Sequence, residues 1–166
     1  MSYTHLHLLL NHFPIIGTLI GISLLSFAVM KNNNTVRQAA LFTIVIMSLI
    51  AIPVFLTGEP AEESIENIAG ISKALIEEHE EAAQIALWVM LATGAIALGS
   101  LILNYMKNKM SNKLAVLSLI IGLLSFGLMA RAGYLGGQIR HTEISQSTLQ
   151  NNQQGPNKTG KEEDND

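Results

Sequence analysis

The chain has 166 residues, 49% of them hydrophobic and 14% charged, with a net charge of −3 and no cysteine. A soluble domain carries roughly 25% charged residues, so this balance points to a single membrane domain. The lack of cysteine excludes disulfides, thiolate metal sites and covalent c-type haem attachment; no basic patch with interleaved aromatics argues for nucleic acid.

The chain opens on His5-Leu6-His7-Leu8-Leu9-Leu10-Asn11-His12-Phe13-Pro14, with three of its five histidines within eight residues. Imidazole ligates metals and haem iron, and it titrates near neutral pH. The apolar run that follows has no Lys or Arg before it and no small-residue cleavage pattern after it. It is expected to be a retained anchor, not a cleaved signal peptide. Pro14 suits a first helical turn, so the spanning helix is expected to start near Asn11 or His12 with His5 to Leu10 as a separate turn. One unbroken helix is the other option, and it would put His5 and His12 on one face.

Four apolar runs, about 13–30, 39–56, 82–105 and 114–137, are each near the roughly 20 residues of a spanning helix. Lipid demands internally satisfied backbone, so the expected fold is an all-α bundle of four transmembrane helices. The connectors at 31–37 and 107–113 carry Lys31, Arg37, Lys107, Lys109 and Lys113 and no acid. The connector between runs two and three holds eight glutamates against Lys73 alone. The positive-inside rule puts the basic loops in the cytoplasm, with both termini and the acidic connector outside. That connector is expected to be helical and amphipathic, starting at Gly58-Glu59-Pro60, with Ile65 and Ile68 on one face, Gly70 as a C-cap and Ser72 capping the next helix. A plain solvated acidic collar is the alternative. Residues 1–145 form the membrane domain, and the polar tail 146–166 is expected to be disordered.

This topology gathers all five histidines, His5, His7, His12, His79 and His141, on the outer side. Arg131 interrupts the fourth run, where a charge needs a partner such as a haem propionate or a collar glutamate, unless it snorkels outward. Gly17/Gly21 and Gly133/Gly137 are small-xxx-small pairs that permit close helix packing or a flat macrocycle. His5-x-His7 with His79 and nearby glutamates offers a non-haem alternative for zinc or copper. Neither a G-x-S-x-G elbow nor a phosphate-binding loop is present, and nothing identifies an enzyme.

Leu6-His7-Leu8-Leu9-Leu10-Asn11-His12-Phe13-Pro14-Ile15 resembles the Leu-His-Pro-Leu-Leu-Val-His-Phe-Pro-Ile opening of a bacterial family of four-helix predicted membrane proteins of unknown function. His79 before the third run, and Gly136-Gly137-Gln138-Ile139-Arg140-His141 at the end, echo further features of that family. The resemblance covers about residues 6–141. It implies the four-helix fold and singles out His7, His12, His79 and His141 over His5.

The expectation is a multi-pass inner-membrane protein of a bacterium that binds haem b and transfers electrons near the outer face. His12 with His79 is the first-choice ligand pair and His7 with His141 the second; Arg131 and Arg140 would balance propionates. The expected partners are the lipid bilayer, a quinone or an extracytoplasmic redox protein, and other subunits, like or unlike. A non-haem metal site and an accessory subunit without cofactor are the alternatives.

Overall fold

The computed structural model describes residues 3–63 and 72–140. The described elements are all helices: α1 Tyr3–Leu10, α2 His12–Met30, α3 Asn34–Leu56, α4 Gly58–Glu63, α5 Lys73–Tyr105 and α6 Met110–Arg140. Four stretches, His5–Met30, Asn34–Glu63, Lys73–Tyr105 and Met110–Ile139, are long and apolar enough to cross a membrane. The chain is therefore a multi-pass membrane protein, a bundle of four long helices. The expected runs all fall inside these helices, but the helices are longer. Helix α5 starts at Lys73 rather than 82, and α6 ends at Arg140 rather than 137. The surplus carries Glu59, Glu62, Glu63 and Glu77 to Glu81, so that end stands beyond the apolar stretches.

Asn11, between α1 and α2, keeps helical dihedrals (φ −61°, ψ −26°), and its N–H donates to His7 O. The two sequence alternatives therefore merge, with a distinct first segment joined to α2 through one helical residue. Pro14 lies in the first turn of α2, where its missing N–H costs little. In α3, Pro53 removes a ladder donor near the C-terminus; the Thr57 hydroxyl donates to Pro53 O at 2.9 Å and to Val54 O at 2.8 Å. Ser72 occupies the N-cap of α5 with extended backbone, but its side chain makes no capping bond. Ile65, Ile68, Gly70 and the tail from 146 lie outside the described residues.

The two basic turns share one design. Asn32 (φ 51°) and Lys107 (φ 56°) adopt the left-handed conformation that reverses the chain. In each, the next residue's N–H reaches back five positions, Asn33 to Ala28 O and Asn108 to Leu103 O. At this end the Arg37 guanidinium donates to the side-chain carbonyls of Asn34, Asn104 and Asn112, tying α3, α5 and α6 together.

Neighbouring helices run in the order α2–α3–α5–α6 and back to α2. Leu25, Leu41, Ile44 and Met90 fill the centre with no exposure, and Thr18, Thr93, Ser100, Ser118 and Ser125 are as deeply buried. Large apolar side chains such as Phe13, Phe42 and Trp88 point outward. Lipid supplies no hydrophobic drive to bring helices together, so association rests on close packing of small residues and on shared hydroxyl bonds. Gly94 leaves room for Ser48, and a Cβ on Gly122 would meet Ile22 at 2.9 Å. Gly17 accommodates Met47 and Gly21 accommodates Ile44, so packing between α2 and α3 accounts for that glycine pair. Met90 Sδ accepts from Thr18 (3.6 Å) and Ser125 (3.3 Å), satisfying two hydroxyls with one soft acceptor.

Candidate functional site: two seated histidines

At the acidic end α1, the α3–α4 junction, α5 and α6 converge on His7 and His79. His7 Nδ1 lies 3.0 Å from Val54 O, with Thr57 Oγ1 at 3.4 Å; His79 Nδ1 lies 2.8 Å from Ala132 O. A carbonyl only accepts, so each Nδ1 carries the hydrogen and each Nε2 keeps its lone pair while the ring is neutral. A carbonyl bond of this kind fixes the tautomer and heading of a metal-ligating imidazole.

The two ring centroids are 6.5 Å apart and the planes cross at 85°. Glycine makes room for the His79 ring, since a Cβ on Gly136 would lie 3.0 Å from its Cε1; a Cβ on Gly58 would lie in ordinary contact, 3.6 Å from His7 Cε1. The Glu62 carboxylate comes within 4.0 Å of His79 Nε2, with both side chains largely buried.

Both histidines and Glu62 stand outside the apolar runs 13–30, 39–56 and 82–105 of the sequence. Burial holds His7 and His79 below the ordinary histidine value of 6.5, against the opposing pull of their carbonyl bonds. Burial, with Glu80 and Glu59 nearby, pushes Glu62 up to about 7. An ion pair would shift His79 and Glu62 the other way, so burial outweighs their mutual attraction across the 4.0 Å contact. Neutral, Nδ1-protonated imidazole is the ligating form.

The sequence puts His12 first as partner of His79; in the structure the ring that meets His79 is His7. The cause is helical register. His7 stands seven residues before Pro14 and fourteen before Gly21, both buried, so it continues the inward face. His12, five residues on, lies on the exposed side with Phe13, and its Nδ1 bonds Leu8 O one turn back at 3.2 Å. His5 is also exposed. Arg131 is 55% exposed and donates to Glu78 Oε1 at 3.1 Å, which makes a collar glutamate its partner. Arg140 ends α6, its side chain outside the description, and His141 lies beyond the described residues. Among the described residues no group of three or more His, Asp or Glu is placed to hold a metal ion.

Glu62, Gly58 and Gly136 are the members of the site that reading for histidines misses. The two glycines had a signal, since each stands at a helix end facing a histidine-bearing segment. Glu62 was indistinguishable from seven neighbours of the same charge. No known family's profile matches the chain, and no curated protein or solved structure matches it either.

Proposed function

We propose that the chain is a membrane-embedded, haem b-binding electron-transfer protein whose iron is ligated by Nε2 of His7 and of His79. The observation that carries this reading is the 6.5 Å centroid separation of two imidazoles whose Nδ1 atoms are each tied to a backbone carbonyl. With metal–nitrogen bonds of about 2.0–2.1 Å and a ring centre about 1.2 Å behind each nitrogen, two imidazoles on opposite sides of one ion stand about 6.4 Å apart, and two in a tetrahedral set about 5.2 Å. The observed 6.5 Å lies nearer the first of these spacings. His7 and His79 would then hold a haem iron between them, and the haem would supply one-electron exchange.

The positive-inside pattern of the loops favours placing this end outside the cytoplasm, with both termini on that side. A bacterial inner membrane is the setting that this topology suits, with a quinone or an extracytoplasmic redox protein as electron partner. Arg140, toward the same end of α6, would balance a propionate, Arg131 being paired with Glu78. The Glu62 carboxyl near His79 Nε2 favours a second reading, a non-haem ion held by imidazole and carboxylate.

Expression with haem supplied, purification in detergent and one absorption spectrum test the proposal. A Soret band with sharp reduced bands is expected. Its absence, with stoichiometric zinc or copper found instead, would transfer the site to the second reading.

A further inference from the structure

The bundle repeats itself. The buried positions of α2 recur in α5 at a constant separation of 72 residues: Pro14 with Ala86, Thr18 with Met90, Leu25 with Ala97. Those of α3 recur in α6 at a separation of 74: Leu41 with Ala115, Ile44 with Ser118, Ala51 with Ser125. The contacts between the halves obey the same relation. Ser48 of α3 fills the space over Gly94 of α5; their counterparts, Gly122 of α6 and Ile22 of α2, meet in the same way with the glycine on the other partner. The turns at Asn32 and Lys107 also match, bond for bond. A two-fold rotation about the bundle axis relates the α2–α3 hairpin to the α5–α6 hairpin, the parallel kind of internal repeat found in membrane proteins.

The histidines themselves obey the relation: His79 follows His7 by the 72 residues that relate α5 to α2. Each donates Nδ1–H to a carbonyl on the second helix of its own hairpin, Val54 or Ala132, and each ring lies by the glycine four residues after that carbonyl, Gly58 or Gly136. These partners are 78 residues apart, so the second seat lies about one helical turn farther along than the 74-residue relation of α3 to α6 places it. In α6 the spacing of four puts the Ala132 carbonyl and Gly136 on one helix face; in the first half Val54 lies in α3 and Gly58 opens α4 across Thr57.

We propose that the protein is a duplicated helical hairpin, and that each half carries an imidazole seat of the same kind, the second displaced by about one helical turn. Gly136 is then a positioning residue for His79, and the two seats present His7 and His79 as ligands of like kind to one centre between the halves. The shared centre rests on the haem reading; the duplicated seat does not.

Nitrogen NMR of the detergent-solubilised full chain, with histidine labelled at both ring nitrogens, tests the seat whether or not haem binds. His7 and His79 should both show the Nδ1–H tautomer near neutral pH. Gly136→Ala should shift the His79 signals and spare those of His7; Gly58→Ala should do the reverse, more weakly because its Cβ has more room. Gly127→Ala, whose Cβ meets nothing within 4 Å, should move neither. In the haem-loaded protein, His7→Ala and His79→Ala should lower bound haem by factors within about twofold of each other, in line with like effects for ligand shells of like kind. The seat is overturned if the wild-type spectrum shows the two rings in different tautomers, a measurement that needs no variant to fold. It is also overturned if a folded Gly136→Ala leaves His79 unmoved. Should haem fail to bind while both rings show the Nδ1–H form, the haem reading falls and the duplicated seat stands.

Discussion

The rings of His7 and His79, 72 positions apart in the chain, lie with centroids 6.5 Å apart and planes crossing at 85°. Neither is held by its own helix alone: the first is fixed by Val54 O and the second by Ala132 O. On the proposed haem reading, removing either ring removes an iron ligand. Haem retained through purification is expected to fall about tenfold or more in His7→Ala and in His79→Ala, the scale on which metal sites respond to lost ligand support. His5→Ala and His12→Ala, both at exposed positions, should retain haem within about twofold on that scale. A haem assay on equal amounts of purified protein reads all four.

Glu62 makes stability depend on pH in an unusual direction. Its value rises from an ordinary 4.5 to about 7 in the fold, so the folded protein binds a proton that the unfolded chain releases between those values. Stability from this group is full below the unfolded value and is lost as pH rises through about 7. His7 and His79 act oppositely. Their folded values lie below 6.5, so their neutral burial favours folding above 6.5 and that contribution is lost as pH falls. Thermal unfolding of the cofactor-free protein in detergent should show Glu62→Gln losing the decline that Glu62 contributes as pH rises from 4.5 to about 7, while keeping the histidines' loss of stability on acidification. An unchanged profile in that variant would contradict the account.

Helix packing predicts a contrast between two glycines. Gly94→Ala drives a methyl into Ser48 and should destabilise by about 1–3 kcal/mol, the usual cost of overpacking. Gly127→Ala meets nothing within 4 Å and should be neutral or stabilising by up to about 1 kcal/mol through helix propensity. Melting temperatures in one detergent compare them directly.

The two arginines that stand out in the helices should differ as well. Arg37 joins three helices through Asn34, Asn104 and Asn112, and its fork geometry is not one that lysine can copy. Arg37→Lys should cost about 1 kcal/mol, since only the Asn104 bond is part-buried and the exposed Asn34 and Asn112 amides can turn to water. Arg131→Ala loses an exposed ion pair with Glu78 and should change stability by less than about 1 kcal/mol.

The four helices were legible because lipid imposes a length and a polarity that few other structures share. The histidine-bearing end was legible because charge segregates so sharply between connectors. Which histidines meet was not. Choosing between His7 and His12 depends on the phase of a helix whose apolar residues surround it, so periodicity gives no inward face. The internal repeat was hidden for a related reason. Equivalent buried positions hold different side chains, Thr18 against Met90 and Leu25 against Ala97, since bundle packing conserves the sum of volumes across the centre rather than each residue. Glu62 became distinct only when its burial set it apart from the rest of the collar.

His7 and His79 are proposed to hold one haem iron jointly. Absorption spectra of the wild type, His7→Ala and His79→Ala, purified after haem-replete expression, decide this. A low-spin spectrum is expected in the wild type, lost or converted to a five-coordinate form in both variants. A wild-type protein without a Soret band, or a band that survives unchanged in either variant, would rule out joint ligation.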